Sequence, residues 1–286
     1  MTVVLRTIPA AREWVQQQRL VGKTIGLVPT MGALHEGHLS LFRRARAACD
    51  QAAISIFVNP LQFGAGEDYQ QYPRNLQRDL ALAGQEGIDV AFCPEASEMV
   101  PAPLETAVDP GRLGDTLCGP FRPGHFRGVA TIVAKLFHIM QPHRAFFGQK
   151  DAQQSVIIRK MVSDLNIPVK IEVCPTVREP DGLAMSSRNS YLSPDERVNA
   201  AVLYRALRHA ESSLRSGVRD ASCLEQEMHQ MIRAIPGAQL DYARVVDQDT
   251  LEDIRQISGP VLAAVAVRFG KTRLIDNLIL VSEPRP

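Results

Sequence analysis

Pro29-Thr-Met-Gly-Ala-Leu-His-Glu-Gly-His38 sets two histidines three residues apart, at the point where a strand pattern gives way to a helix pattern. The run before it, Thr24-Ile-Gly-Leu-Val28, is short, apolar and bounded by glycine and proline, and reads as a buried strand. Beyond the histidines Leu39, Phe42, Ala45 and Ala48 recur at helical spacing, with Arg43, Arg44 and Arg46 on the other faces. A helix therefore starts near Gly37. Its unpaired N–H groups and positive dipole end point toward the histidines, a geometry that holds phosphate. Gly32 and Gly37 have no Cβ, so a nucleotide can lie against the backbone there. A zincin pair needs H-E-x-x-H, one residue longer and without a glycine between. Two histidines alone would read as an incidental surface turn; the strand, the glycines and the helix around them make the pair a candidate site.

Outward from this stretch, apolar runs at 24–28, 53–58, 89–92, 144–147 and 169–173 alternate with helical patterns over 39–49, 75–86, 128–140 and 152–165. That alternation predicts an α/β fold, a Rossmann-like doubly wound parallel sheet. Ligands of such sheets bind beyond the carboxyl ends of the strands, and those ends carry the unusual runs 31–38, 59–62 and 148–151. After residue 177 the character changes. Ser193-Pro-Asp-Glu196 reads as a capped helix start leading to about Arg215. A second helix over 221–235 precedes three alternating runs at 240–246, 261–269 and 272–280, the last two joined by Gly270-Lys271 as a hairpin. The boundary falls between 174 and 180. It gives a nucleotide-binding domain, 1–176, and a smaller C-terminal α+β domain, 177–286, with two helices and an antiparallel sheet.

Composition excludes several function classes. Thirty-two Lys+Arg against 31 Asp+Glu leave a net charge of +1, so no nucleic-acid partner is expected. No apolar run approaches the ~20 residues of a membrane span, and the start Met-Thr-Val-Val-Leu-Arg lacks the apolar core of a signal peptide. Five cysteines without a C-x-x-C pair read as reduced thiols of a cytoplasmic enzyme. Gly22-Lys23-Thr24 and Gly270-Lys271-Thr272 mimic half a P-loop, but Gln17 and Val265 stand where its first glycine belongs. Gly64-Ala-Gly-Glu-Asp-Tyr69 lacks the third glycine of a dinucleotide fingerprint and reads as a mobile loop.

Two further constellations carry chemistry. In Phe146-Phe-Gly-Gln-Lys-Asp151 a strand, a glycine and a Lys/Asp pair at a helix start supply an ammonium for negative charge and a carboxylate for ribose hydroxyls. The plainer reading of Lys-Asp is a solvated capping pair. Asp181-Gly-Leu-Ala-Met-Ser-Ser-Arg188 combines a glycine, two hydroxyls and a guanidinium, suited to departing phosphates.

His35-x-Gly-His38 resembles the H-x-G-H motif of the nucleotidylyltransferase superfamily, and Met185-Ser-Ser-Arg188 its KMSKS-like phosphate loop. Five longer blocks in order resemble the pantoate–β-alanine ligase family: 29–38, Phe57-Val-Asn-Pro-Leu-Gln-Phe63, His125-Phe-Arg-Gly-Val129, Phe147-Gly-Gln-Lys-Asp151 and Arg178-Glu-Pro-Asp-Gly-Leu-Ala-Met-Ser-Ser-Arg-Asn189. The resemblance implies a homodimer that uses MgATP, pantoate and β-alanine, with a pantoyl adenylate between two half-reactions. It assigns His35 and His38 to the triphosphate, His38 to charge developing at the α-phosphate. Lys150, Ser186, Ser187 and Arg188 take the β- and γ-phosphates or departing pyrophosphate. Met31, Gly32, Ala33 and Leu34 offer backbone groups to ATP beside Glu36 and Gly37. Gly148, Gln149, Asp151, Val177 and Met185 complete the nucleotide site, and Gln62 and Gln154 grip the pantoate and β-alanine substrates.

Gln149 stands where this family usually carries Glu, so a contact made by that carboxylate is weaker here. Asn59, Arg122, His125 and Arg127 are further candidates around the adenylate, while His138 and His143 read as structural. No metal-ligand set is apparent. Two other readings remain open: an adenylyltransferase acting on a phosphate ester, which gives no reason for Gln62 and Gln154, and a nucleotide sensor that forms no adenylate.

Overall fold

In the computed structural model, which describes residues 2–64 and 66–281, neighbouring residues of the central strands belong to different apolar cores. Leu27, Ala53, Val90, Phe92, Ala145 and Phe147 pack on one side of a sheet, and Val28, Ile54, Ala91 and Phe146 on the other. A parallel sheet covered on both faces requires this period of two. Its strands are β1 (Val3–Leu5), β2 (Ile25–Thr30), β3 (Gln51–Ile56), β4 (Val90–Phe92), β5 (Arg144–Gly148) and β6 (Lys170–Cys174), all parallel in the order β1-β4-β3-β2-β5-β6. Helices α1 (Ile8–Leu20), α5 (His125–Met140) and α6 (Ala152–Asp164) cover the first face, and α2 (Glu36–Ala48) and α3 (Leu76–Gln85) the second. A short α4 (Ala96–Met99) follows β4.

The chain passes from β2 to β3 on one side but places β5 on the other side of β2. A crevice opens at that reversal, beyond the carboxyl ends of β2 and β5. The two constellations at 31–38 and 148–151 lie there.

A second core gathers Leu183 and residues from α7 (Pro194–Ala200), α8 (Val202–Arg215), α9 (Ala221–Arg233) and an antiparallel sheet of β7 (Ala238–Asp247), β8 (Val261–Phe269) and β9 (Thr272–Leu280). The hairpin at Gly270-Lys271 forms as expected, with Gly270 at φ +54°. An apolar seam of Ala152, Val156, Val246, Leu262 and Ala264 joins α6 to this sheet, so the two bodies share packed surface.

Several boundaries differ from the sequence reading by one to three residues, the ordinary fraying of element ends. Two differences are larger. The helix expected over 194–215 is divided at Ala201, whose ψ of −13° departs from the helical value, into α7 and α8. Strand β1 and helices α1 and α4 fall outside the expected elements, although Thr7 caps α1 and Pro9 occupies its first turn.

Candidate active site

His35 is the N-cap of α2 and His38 lies in its first turn, and the two rings cap the helix jointly. Gly37 N donates to His35 Nδ1 at 3.2 Å, and His35 N donates to His38 Nδ1 at 3.3 Å. With Nδ1 accepting on both rings, each neutral imidazole carries its proton on Nε2. Both line a cleft of about 220 Å³, so the crevice receives two Nε2–H donors. Desolvation lowers His38 to about 3, aided by His35, and His35 to about 4, aided by Lys150. Both are neutral at pH 7. A Cβ on Gly37 would sit 2.9 Å from His35 Cε1, so only glycine lets the ring fold back onto the helix start.

The turn ahead of the histidines is held by a residue that the sequence did not single out. Asp79, 1% exposed in α3, accepts from Ala33 N and Leu34 N, both at 2.9 Å. Thr30 Oγ1 accepts from Gly32 N at 3.2 Å, and Arg78 Nη1 donates to Leu34 O. These bonds bear on the backbone groups that residues 31–34 are expected to offer ATP. Three N–H groups of the turn are committed to the protein, and Met31 alone of the four lines the cleft.

The 59–62 segment after β3 supplies a second wall. Asn59, 2% exposed, caps a 3-10 turn and donates through Nδ2 to Gln62 Oε1 and Gly128 O, each at 3.1 Å. A Cβ on Gly128 would lie 2.2 Å from Leu61 O, so glycine permits α5 to approach this close. Gln62 Nε2 turns toward Met31 Sδ at 3.1 Å, and Gln62 and Gln154 line the same cleft. His125, at the start of α5, bonds Gln62 O at 2.8 Å through Nδ1 and Arg122 at 3.0 Å through Nε2. Burial first, then Arg122, lowers it to about 4. Arg122 and His125 thus line the cleft, whereas Arg127 is exposed. His143 is structural as expected, its Nδ1 accepting from Ile25 N, while His138 is exposed.

Lys150 and Asp151 face each other at 3.5 Å on the cleft wall. Burial would raise the Asp151 carboxyl, but Lys150 and Arg188 outweigh it and hold the group below its ordinary value. Met185, Ser186, Ser187 and Arg188 close the cleft from the linker side, with Tyr72 OH 3.5 Å from Ser187 Oγ. Arg188 donates from Nε and Nη2 to both oxygens of Asp68, at 2.9 and 2.8 Å. Glu67 accepts from Arg122 through both oxygens at 2.7 Å. Glu67 and Asp68, in the run expected as a mobile loop, each hold an ion pair at the cleft.

Thus Met31, His35, His38, Gln62, Lys150, Asp151, Gln154, Met185, Ser186, Ser187 and Arg188 converge. Gly32, Ala33, Leu34, Glu36, Gly37, Gly148 and Gln149 are not among the residues lining this cleft. Glu36 pairs with Arg43 at the surface, and Val177 lines a separate groove beside Ser40 and Arg44. Gln149 turns away to Asn277, its Nε2 donating to Oδ1 at 2.9 Å, which satisfies an amide where a carboxylate would need a donor. Among the described residues no three His, Cys, Asp or Glu side chains form a metal-binding group, and no helix is long and apolar enough to cross a membrane.

The profile of the pantoate-β-alanine ligase family matches residues 3–279. A pantothenate synthetase of Syntrophomonas wolfei is 52% identical over 278 residues, 97% of this chain and 99% of that protein. The crystal structure of pantothenate synthetase from Thermus thermophilus superposes with a TM-score of 0.91 at 44% identity, over 97% of this chain and 99% of that one. A pantoate-β-alanine ligase of Francisella tularensis, complexed with beta-gamma ATP and β-alanine, gives a TM-score of 0.80 at 34% identity, over 98% of each chain. The blocks quoted from the sequence, the switch-point crevice and these matches agree, and the chain belongs to the pantoate–β-alanine ligase family.

Proposed function

We propose that this protein condenses pantoate with β-alanine to pantothenate, using ATP, through a pantoyl adenylate. A carboxylate and an amine do not condense unaided at neutral pH. Pantoate's carboxylate attacks the α-phosphorus, pyrophosphate departs, and the amine of β-alanine then attacks the acyl carbon as AMP leaves. One observation carries the reading: two Nε2–H donors, an ammonium and the hydroxyls of Ser186 and Ser187 line a single cleft with Gln62 and Gln154.

The chemistry asks the protein for position and charge stabilisation more than for covalent participation. His38, fixed at the helix start, donates to charge growing on the α-phosphate, and His35 and Lys150 hold the remaining phosphates. Ser186, Ser187 and Arg188 receive pyrophosphate. Each such preorganised donor contributes on the order of 10²–10³ in rate. Gln62 Oε1 accepts from Asn59, and Nε2 spends one proton on the weak acceptor Met31 Sδ, which leaves its second proton for pantoate. Gln154, with an amide that both donates and accepts, completes that grip.

Mg²⁺ belongs to the substrate MgATP. Asp151, the carboxylate among the residues lining the cleft, faces Lys150, so the donors suited to the ion are phosphate oxygens and water, the set Mg²⁺ prefers. Residues 1–176 and 177–286 act as the two working units, and a homodimer in the cytoplasm, tested by sedimentation equilibrium and fractionation, completes the proposal.

Pantoate-dependent exchange between ATP and pyrophosphate is the test. Exchange that needs pantoate, followed by pantothenate formation when β-alanine is added, supports the reading. Exchange without pantoate, or ATP binding without exchange, would favour another adenylyltransferase or a sensor.

A further inference from the structure

Two consecutive residues of β9, Asp276 and Asn277, are 2% and 3% exposed in a strand whose other buried positions are Thr272, Leu274 and Leu280. Successive strand residues point to opposite faces. Leu274 and Leu280, on the face of Asp276, pack into the core under α8 and α9, whereas Ile275, on the face of Asn277, packs against the core of the nucleotide-binding body. The dipeptide therefore reaches two different parts of the molecule.

Asn277 Nδ2 donates to the backbone oxygens of Gln149 and Lys150, both at 2.9 Å, and Oδ1 accepts from Gln149 Nε2 at 2.9 Å. The carboxylate of Asp276 takes a two-pronged bond from Arg178, at 2.5 and 3.0 Å. Arg178 also donates to Gly182 O at 3.0 Å and lies 4.0 Å above the Tyr204 ring. The strand-like bridge between Arg178 and Ala184, with Met185 N bonded to Val177 O at 3.0 Å, sets the start of the 185–188 loop. A buried amide and carboxylate are costly unless their bonds are met. Here every polar side-chain atom of Asn277 is committed to the segment that carries Lys150.

We infer that Asn277 is a positioning residue for adenylate formation, and that with Asp276 it forms a strut holding Lys150 and the 185–188 loop in register from one strand. The inference rests on Lys150 being a phosphate ligand. Asp at 277 keeps the shape but loses both donors and sets a carboxylate against two carbonyl oxygens, so the isostere separates positioning from packing.

The experiment measures pantoate-dependent ATP–pyrophosphate exchange and melting for the full chain, as wild type, Asn277→Asp, Asn277→Ala, Ile275→Ala and Lys150→Ala. Expected is a tenfold or larger fall in exchange kcat and a raised KM for MgATP in Asn277→Asp, with KM for pantoate within twofold. Ile275→Ala, a packing change on the same face, lowers the melting temperature but keeps exchange within threefold. Exchange within twofold of wild type in Asn277→Asp, or an equal loss in Ile275→Ala, overturns the strut. If the aspartate variant does not fold, Asn277→Ala is judged by the same criteria. Lys150→Ala isolates the premise: exchange retained there removes the reading of Lys150 and the strut with it, whereas exchange lost there but intact in Asn277→Asp removes the strut alone.

Discussion

Asp79→Ala removes the side chain that shapes the turn ahead of the histidines. Two backbone donors, Ala33 N and Leu34 N, lose a charged acceptor that is 1% exposed. An unsatisfied buried donor costs about 1–3 kcal/mol, so the pair costs about 2–6 kcal/mol. Set against the 5–15 kcal/mol that typically holds a domain together, this is a large fraction. Asp79→Asn keeps one acceptor but turns the other into a donor facing a donor, and falls between wild type and alanine. The chain has one tryptophan, Trp14, packed on the core of the same body, so urea unfolding followed by its fluorescence reports the loss. Activity should fall further than stability alone explains. Displacing a catalytic group by about 1 Å can cost 10²-fold, and the histidine pair begins directly after this turn. ATP–pyrophosphate exchange measured well below the variant's melting temperature should therefore drop about 10²-fold. An alanine variant within about 0.5 kcal/mol of wild type, the range of an inconsequential surface change, would refute the assignment of Asp79 as the keeper of this turn.

His38→Ala should keep the fold, with the lost helix-cap bond costing about 1 kcal/mol of stability, while losing adenylation on the order of 10²–10³-fold, and retention of single-turnover adenylation within threefold would sink its role. Gln62→Ala and Gln154→Ala should weaken pantoate by roughly 1–3 kcal/mol each while sparing ATP, and calorimetry giving equal losses for both ligands would count against the assignment. With His35 lowered to about 4 and His38 to about 3, kcat/KM for MgATP should stay level through pH 6.5 and fall only below about 5. The same shifts set a stability trend: above about 6.5 both states are neutral, and as pH falls the unfolded chain takes protons first, so stability drops toward pH 4. Urea midpoints that rise between pH 7 and 5 would show that the histidines are not held neutral.

Five of the six strands were legible because burial on both faces leaves continuous apolar runs, and three of those strands lead into the unusual runs 31–38, 59–62 and 148–151. Helix α1 was not, since only Ala11 and Val15 of its 13 residues are buried, too narrow a stripe to stand out. The histidines, Lys150 and the 185–188 loop were legible for a local reason: each motif contains its own punctuation. Asp79, Asp68, Asp276 and Asn277 were not, because each acts on a partner far along the chain: Asp79 on Ala33, Asp68 on Arg188, Asn277 on Gln149. Such a carboxylate or amide looks like any solvated side chain until the fold brings its partner near. Gln149 marks the same limit from the other side. It sits inside a motif, yet its side chain serves the neighbouring strand.

The cations of the cleft share a design that yields a last prediction. Lys150 faces Asp151, Arg122 faces Glu67 and Arg188 faces Asp68, so each positive charge carries its own carboxylate. A site that attracted triphosphate by field alone would leave its cations bare. Here the carboxylate takes Nε and Nη2 of Arg188, and Nη1 has no partner among the described residues. The guanidinium is thereby held at one orientation, while part of its attraction for phosphate is lost. Asp68→Asn should reverse the balance. Two unit charges about 4 Å apart interact by about 4 kcal/mol at an effective dielectric of 20, but both side chains are roughly a quarter exposed, so solvent screens much of this. Removing the carboxylate charge should thus tighten MgATP several-fold, most visibly at low salt, while the looser guanidinium lowers kcat for adenylation by a similar factor. Steady-state exchange at two ionic strengths reads both quantities. A variant with KM for MgATP raised and kcat unchanged would mean that Asp68 serves binding directly, and the orienting role would have to be abandoned.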